Sequence, residues 1–223
     1  MMRSFGNRPD CAVVDEPFYA AYLAATGLDH PMRDEVLASQ PTDWRTVAEA
    51  LATAEPAPVL YQKHMTHHML TEFGLDWTGA CRNAFLIREP EAVLASYVKK
   101  RAEVALEDIG VVRQRELFER EADRLGHAPP VVDSADILAD PPTTLARLCA
   151  ALGIDWDPAM LQWEPGIRET DGVWAAHWYD AVANSSGFGP PDDRPLSLDD
   201  EAQRVADACR PFYERLAAHR ITA

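Results

Sequence analysis

Residues 85–97 of this chain read FLIREPEAVLASY, and they decide the expected fold. The apolar run before the arginine predicts a buried strand. Pro90 then begins a helical pattern, because proline suits a first helical position, where its missing N–H would have no partner. Arg88 is therefore expected at the carboxyl edge of a strand, where open α/β sheets bind ligands. Ser96 lies about two turns along the helix, near enough to share one anion with Arg88.

Apolar runs and helical patterns alternate along the rest of the chain. Strands are predicted at residues 11–14, 58–62, 82–88 and 130–133. Alternation of strands with helices indicates a parallel sheet flanked by helices. The sequence therefore predicts an α/β fold in a single domain over residues 1–223. A Pro/Gly/Asp-rich loop is expected over residues 185–198, followed by a C-terminal helix over residues 199–219.

Charge and cysteine spacing limit the partners. The formal net charge is −15, which argues against nucleic acid and anionic membranes as partners but permits a small molecule in a local pocket. The four cysteines form no CxxC pair, so a zinc ribbon or a redox motif is not expected. No signal peptide or membrane span is recognised, so a cytoplasmic location is expected. The oligomeric state stays open.

Two motifs carry a family resemblance. Arg88-x-Pro90 with Ser96 eight residues after the arginine resembles the 3′-phosphate-binding element of P-loop sulfotransferases. Residues 136–141, DILADP, resemble a second signature of that family, in which Asp136 and Asp140 are expected as helix caps. The resemblance implies a P-loop-type α/β fold. It also implies transfer of a sulfuryl group from 3′-phosphoadenosine-5′-phosphosulfate to a hydroxyl or amine of a small-molecule acceptor.

A third segment resembles the late nucleotide-binding loop of the same family. Residues 168–174 read RETDGVW, one residue shorter than the common pattern. The resemblance implies that Arg168 is a second ligand of the 3′-phosphate, with a surface ion pair as the alternative. Nearby, four aromatic side chains are expected either to wall the cleft or to form a small core: Trp174, His177, Trp178 and Tyr179.

Candidate catalytic residues occur at two other strand ends. Lys63 and His64 occupy the place where the family has a lysine and a nearby histidine. The resemblance implies that the lysine neutralises charge on the leaving oxygen and that the histidine takes the acceptor proton, with His67 as a second choice. Glu16 matches a carboxylate–proline–aromatic feature of some bacterial sulfotransferases, in which glutamate is the base. The base stays open among these three residues.

A metal site is not expected. His64 and His68 are four residues apart, but no HExxH motif and no second cluster of metal ligands accompanies them.

The family's first strand and its phosphate-binding P-loop are not recognised in the chain. Residues 1–6 resemble the end of the helix that follows that loop. The sequence is therefore interpreted as an amino-terminally shortened sulfotransferase. The alternative is a non-catalytic nucleotide-binding or interaction protein of the same fold.

Overall fold

The structure is a computed structural model that describes residues 1–98, 104–190 and 197–222. The chain divides into two compact units. The first unit comprises Met1–Arg82 and Asp157–Gly189, and the second comprises Asn83–Trp156 and Pro190–Ala223. The single domain expected over residues 1–223 stays a prediction.

Strands and helices alternate through both units. The strands are β1 (Cys11–Asp15), β2 (Val59–Lys63), β3 (Phe85–Ile87) and β4 (Val131–Asp133). The first helices are α1 (Met2–Phe5), α2 (Tyr19–Thr26), α3 (Arg33–Ser39), α4 (Trp44–Thr53), α5 (Pro90–Tyr97) and α6 (Leu106–Ile109). The remaining helices are α7 (Val111–Leu125), α8 (Ser134–Ala139), α9 (Pro141–Ala151), α10 (Ala175–Trp178), α11 (Asp180–Ala183) and α12 (Asp200–Ala217). Short 3₁₀ turns occur at Thr66–His68, Asp76–Ala80 and Pro158–Leu161.

The first unit is built around the parallel pair of β1 and β2. Cys11 lies opposite Val59 and Asp15 opposite Lys63, so both strands end at the same edge. Helix α1 packs on this pair, since the ring of Phe5 stacks on Tyr61 with centroids 4.5 Å apart. The buried core on α2, α3 and α10 contains Tyr19, Ala20, Leu23, Val36, Trp174 and Ala175. The strand pair therefore packs against the buried core of the first unit.

The second unit is built around the parallel pair of β3 and β4. Phe85 lies opposite Val131, and Ile87 lies opposite Asp133. Helices α7 and α12 cover this pair with the buried side chains of Phe118 and Leu216. Both pairs are parallel and are followed by helices, so the predicted α/β class is confirmed.

Several helix boundaries follow the predicted signals. Helix α5 begins at Pro90 as expected. The predicted C-terminal helix is present as α12, and the Asp199 carboxylate caps it by accepting from the Ala202 N–H at 2.8 Å. Within the loop predicted over residues 185–198, residues 191–196 lie outside the described part. Among the described residues, no helix combines the length and apolar character that a bilayer crossing requires.

One expected cap is wrong. The Asp140 carboxylate caps α9 by accepting from the Thr143 N–H at 3.2 Å. Asp136, however, lies in the first turn of α8, and the cap of that helix is Asp133. The reason is position: β4 ends at Asp133, whose carboxylate reaches the Ala135 N–H at 2.9 Å.

Candidate functional site

The carboxyl edge of β1 and β2 places an acidic pair beside a lysine. Asp15 ends β1 directly opposite Lys63, the last residue of β2. Glu16 follows, and its backbone N–H donates to the Lys63 carbonyl at 2.9 Å. Glu16 has a φ of +42°, in the left-handed region that non-glycine residues rarely adopt. Strained backbone of this kind clusters at functional sites, where the surrounding structure enforces it.

The Lys63 ammonium is held by three oxygen atoms. Its Nζ donates to Asp15 Oδ1 at 3.1 Å, to the Tyr179 hydroxyl at 2.7 Å and to Glu16 Oε1. The Tyr179 hydroxyl in turn donates to Asp15 Oδ2 at 2.7 Å. We call these four residues the lysine cluster. The Lys63 side chain is 27% exposed, against 1% for Asp15 and 9% for Glu16, so solvent reaches the cluster mainly along the Lys63 side chain.

Burial and neighbouring charges shift the pKa values of Glu16, Lys63 and Tyr179. Burial raises the pKa of Glu16 above its ordinary value of 4.5, although the charge of Lys63 opposes this shift. Burial alone would lower the pKa of Lys63, but the Glu16 and Asp15 carboxylates outweigh it and raise that pKa well above 10.5. Burial also raises the pKa of Tyr179. At neutral pH the lysine is therefore charged, the phenol is protonated, and Glu16 has a raised affinity for a proton.

The two histidines predicted as alternative bases lie close by. The His64 ring lies 5.8 Å from Phe18 and 5.4 Å from Trp77, and its Nε2 is 3.2 Å from Gln62 Oε1. Burial, and next the charge of Lys63, lower the pKa of His64 to about 4. His67 lies in the 3₁₀ turn after β2. Neither His64 nor His67 has a side-chain hydrogen bond to Lys63 or Glu16 among the described contacts.

A further histidine approaches the cluster from the buried side. The His68 residue is 3% exposed, and its Nδ1 lies 3.9 Å from Glu16 Oε2. The ring stacks on Tyr19 with centroids 4.3 Å apart. His68 therefore faces Oε2 of Glu16, whereas Lys63 contacts Oε1.

Arg168 belongs to the first unit as well. Its backbone N–H donates to Asp171 Oδ2 at 2.8 Å, while the same carboxylate pairs with Arg3 at 2.6 Å. Burial, and next the charge of Arg3, lower the pKa of the Arg168 guanidinium. No ion pair of the Arg168 side chain occurs within the described ranges, and its role as a phosphate ligand stays a prediction.

The segment after Arg168 is tied to the lysine cluster. The Gly172 N–H lies 3.4 Å from Asp15 Oδ2. A Cβ at residue 172 would lie only 2.1 Å from the ring of Trp174, so this position requires glycine. Trp174 is 1% exposed and lies in the core of the first unit, whereas Tyr179 contributes both to that core and to the cluster.

The predicted 3′-phosphate ligands lie in the second unit. Arg88 is exposed just after β3, and Ser96 is exposed in the last turn of α5. The two glutamates near Arg88, Glu89 and Glu91, form their ion pairs with Arg210. Within the part of the chain that the structure describes, Arg88 forms no ion pair, so its charge is available to an anion. Its role as a ligand stays a prediction.

Three residues of the site were not predicted in these roles: Asp15, Tyr179 and His68. The role of Asp15 could have been predicted from the sequence, because Asp15 precedes Glu16 and the carboxyl ends of adjacent parallel strands meet at one edge. Tyr179 lies 116 residues from Lys63, and no spacing rule connects the two. No group of three or more metal-ligating residues occurs in the described ranges.

Comparisons with known proteins agree with the family resemblance of the sequence motifs. A family model described as "Sulfotransferase domain" matches residues 1–220. Two Arabidopsis thaliana proteins, "Branched-chain-amino-acid aminotransferase-like protein 1" and "protein 2", are 33% and 30% identical over 220 and 221 residues. The matches cover 98% of this chain but only 39% of each relative, so the chain spans about two-fifths of their length.

Two solved structures are also similar. The "Sulfotransferase Domain from the Curacin Biosynthetic Pathway" is 18% identical with a TM-score of 0.41, covering 85% of this chain and 77% of that one. The "Sulfotransferase Domain from the Synechococcus PCC 7002 Olefin Synthase" is 18% identical with a TM-score of 0.45, covering 84% and 72%. The assignment itself depends on the family model, whose match extends over almost the whole sequence. This chain belongs to the sulfotransferase domain family.

Proposed function

We propose that this chain transfers a sulfuryl group from 3′-phosphoadenosine-5′-phosphosulfate to a hydroxyl or amine of a small-molecule acceptor. The observation that carries the proposal is the lysine cluster: a partly exposed, charged lysine side chain beside a buried, strained glutamate at the carboxyl edge of two parallel strands. Sulfuryl transfer needs one group that removes a proton and one that offsets negative charge on the leaving oxygen. The cluster contains both.

Lys63 fits the charge-offsetting role. Its raised pKa keeps the amine protonated at neutral pH, and the 27% exposure of its side chain leaves the residue open to a ligand. The phosphosulfate donor supplies the sulfuryl group. Lys63 places its positive charge where the bridging oxygen gains negative charge, while Asp15 and Tyr179 keep the amine at the site. The ammonium therefore exchanges only its contact with Glu16 for the leaving oxygen.

Glu16 fits the role of the base better than His64. Burial raises the proton affinity of Glu16, whereas burial and Lys63 lower the pKa of His64 to about 4. As the acceptor oxygen or nitrogen bonds to sulfur, its proton passes to Glu16 and the bond between sulfur and the leaving oxygen breaks. Glu16 ends the step protonated and neutral, which releases Lys63 from a charged partner.

Nucleotide binding is assigned to Arg88, Ser96 and Arg168. The assignment of Arg88 and Ser96 is supported by the motif in residues 88–96 and by the unpaired charge of Arg88 among the described residues. The assignment of Arg168 is supported by its half-buried guanidinium, for which the described part of the chain offers no ion pair. Arginine suits phosphate, because its planar guanidinium donates two parallel hydrogen bonds.

The names of the two plant relatives raise aminotransferase chemistry as a second activity. Such chemistry uses a neutral lysine amine as a nucleophile, and a lowered pKa favours that form. The raised pKa of Lys63 is the opposite condition, and the other two lysines of the sequence, Lys99 and Lys100, lie outside the described residues. The lysine cluster therefore favours sulfuryl transfer.

Thermal unfolding with nucleotides tests the proposal. We expect 3′-phosphoadenosine-5′-phosphate to raise the unfolding temperature and ATP to leave it unchanged, because a ligand that binds the folded state stabilises it by mass action. A response to both nucleotides would contradict recognition of the 3′-phosphate. No response to either would favour the non-catalytic interaction protein.

A further inference from the structure

The two oxygens of the Glu16 carboxylate have different neighbours. Oε1 accepts from the Lys63 ammonium. Oε2 faces Nδ1 of His68 at 3.9 Å, on the buried side of the cluster. Lys63 accounts for the contact of Oε1, whereas Oε2 and its histidine neighbour have no role assigned so far.

The His68 ring is held in place by aromatic neighbours. Tyr19 stacks on it with ring planes 14° apart, and Tyr22 lies 4.8 Å away between centroids. His67 packs edge-on at 4.4 Å. Because side chains packed in this way stay in fixed rotamers, Nδ1 keeps facing Glu16.

The His68 Nδ1 atom is buried and has no hydrogen-bond partner within the described ranges. Leaving a buried polar atom unpaired costs about 1–3 kcal/mol, so such an atom calls for an explanation. Burial lowers the pKa of His68 well below 6.5, followed in effect by the charges of His67, His30, Lys63 and His64. The ring is therefore neutral at pH 7, with a lone pair on one nitrogen.

The 3.9 Å separation is longer than a hydrogen bond. A lone pair on Nδ1 explains it, since a lone pair and an ionised carboxylate are both acceptors. Protonation of Glu16 changes this relation, because a carboxylic acid is a donor and Nδ1 accepts from it. The site thus holds an acceptor that is useful only after Glu16 has gained a proton.

We propose that His68 is a positioning residue that stabilises protonated Glu16 by accepting a hydrogen bond at Nδ1. The inference rests on the proposed role of Glu16 as the base. The acceptor's O–H or N–H bond breaks, an O–H bond forms at Oε2 of Glu16, and that O–H donates to His68 Nδ1 without transferring its proton. His68 itself remains neutral throughout.

The other groups around Glu16 act in the opposite direction or are already engaged. Lys63 is a donor and favours the ionised carboxylate, whereas the Tyr179 hydroxyl, 3.4 Å from Oε1, already donates its one proton to Asp15. The Asp15 carboxylate is occupied by Lys63 and Tyr179. His68 is therefore the neighbour that raises the affinity of Glu16 for a proton by hydrogen bonding.

Matched substitutions at residue 68 test the inference. His68→Leu removes the acceptor and keeps an apolar side chain, whereas the amide of His68→Asn occupies the position of Nδ1. The pKa of Glu16 is measured by carbon-13 NMR on glutamate-labelled protein, with Glu16→Gln used to assign the signal. We expect about tenfold weaker proton binding at Glu16 in His68→Leu and a near-native value in His68→Asn.

A second measurement needs no substitution. Nitrogen-15 NMR of histidine-labelled wild-type protein is expected to show the Nε2–H form of His68, with a bare Nδ1. An Nδ1–H form would overturn the inference, as would an unchanged Glu16 pKa in folded His68→Leu. Neither experiment contains nucleotide or acceptor, so failure here leaves the sulfotransferase proposal standing. With an active preparation, His68→Leu is also expected to lower the pKa of the acidic limb of the pH–rate profile.

Discussion

Asp15 and Asp133 occupy equivalent places in the two parallel strand pairs but have different roles. Each is a buried aspartate at the end of a strand, and each accepts a hydrogen bond from a tyrosine hydroxyl, Tyr179 in one case and Tyr213 at 2.6 Å in the other. Asp133 also caps a helix. Asp15 instead holds the Lys63 ammonium.

The difference shows how one local arrangement serves structure in one unit and chemistry in the other. The polar atoms around Asp133 are satisfied by neighbouring protein groups. Around Asp15 the same Asp–Tyr contact anchors a charged lysine whose side chain solvent reaches. A functional site is therefore indicated by a partly exposed, anchored charge, and a buried carboxylate alone is weak evidence.

The largest effect is expected from removing the cation. Lys63→Met should lower the sulfuryl-transfer rate by about 10²–10³-fold, because an electrostatic group aimed at developing charge typically contributes that much. The rate is measured with sulfur-35-labelled donor and a panel of hydroxyl and amine acceptors. Arg45→Met, at a side chain that is 72% exposed, is the matched control and should retain the wild-type rate. A wild-type rate in Lys63→Met would contradict the catalytic role of the cation held by Asp15.

Removing the exposed arginine of the second unit should weaken nucleotide binding. Arg88→Ala is expected to lower the affinity for 3′-phosphoadenosine-5′-phosphate by about 10–100-fold, since a hydrogen bond to a charged group contributes about 1.5–3 kcal/mol. Ser96→Ala should have a smaller effect. Affinity is measured by calorimetry, with exposed Arg204→Ala as the control. Unchanged affinity in Arg88→Ala would remove this residue from the nucleotide site.

The two tyrosines offer a direct comparison. Tyr179→Phe and Tyr213→Phe each delete one hydroxyl bound to a buried aspartate, so each should lower the free energy of unfolding by about 1–3 kcal/mol. Tyr179→Phe should also slow sulfuryl transfer by about tenfold, because Lys63 loses an anchor. Urea unfolding and rate assays on both variants check this. A rate loss in Tyr213→Phe beyond its loss of folded protein would contradict the structural role of Asp133.

A smaller effect is expected in the pH dependence of stability. The pKa of His64 is about 4 in the folded protein against an ordinary 6.5, so its stabilising effect is complete above pH 6.5 and is lost as pH falls towards 4. In the wild type, this histidine should lower the free energy of unfolding by about 1–2 kcal/mol as the pH falls from about 6.5 to 5. His64→Gln should lack this contribution. Urea unfolding at both pH values measures it. Exposed His127→Gln should keep the wild-type decrease, and an unchanged decrease in His64→Gln would show that this histidine is not effectively buried.

Much of this arrangement was accessible from the sequence. Apolar runs located the four strands found among the described residues, and Pro90 marked the start of α5, because these signals are local. Glu16 and Lys63 were both singled out, and the parallel register brings them together. Asp136 was wrongly expected as a cap, since the exact end of β4 decides which aspartate reaches the free N–H groups.

The rest depends on tertiary packing. Tyr179 reaches Lys63 from a segment 116 residues away, so only the folded core connects them. The choice among Glu16, His64 and His67 as base depends on burial, which sequence spacing does not reveal. His68 was noted for its spacing from His64, whereas its position facing Glu16 follows from the aromatic packing of Tyr19 and Tyr22.

The most direct test of the central claim is the rate of sulfuryl transfer by Glu16→Gln, measured together with its affinity for 3′-phosphoadenosine-5′-phosphate. The substitution keeps the shape of the side chain and removes its ability to take a proton. Our account predicts a rate lower by about 10²–10⁴-fold with nucleotide affinity within about twofold of wild type. A wild-type rate in Glu16→Gln would contradict it.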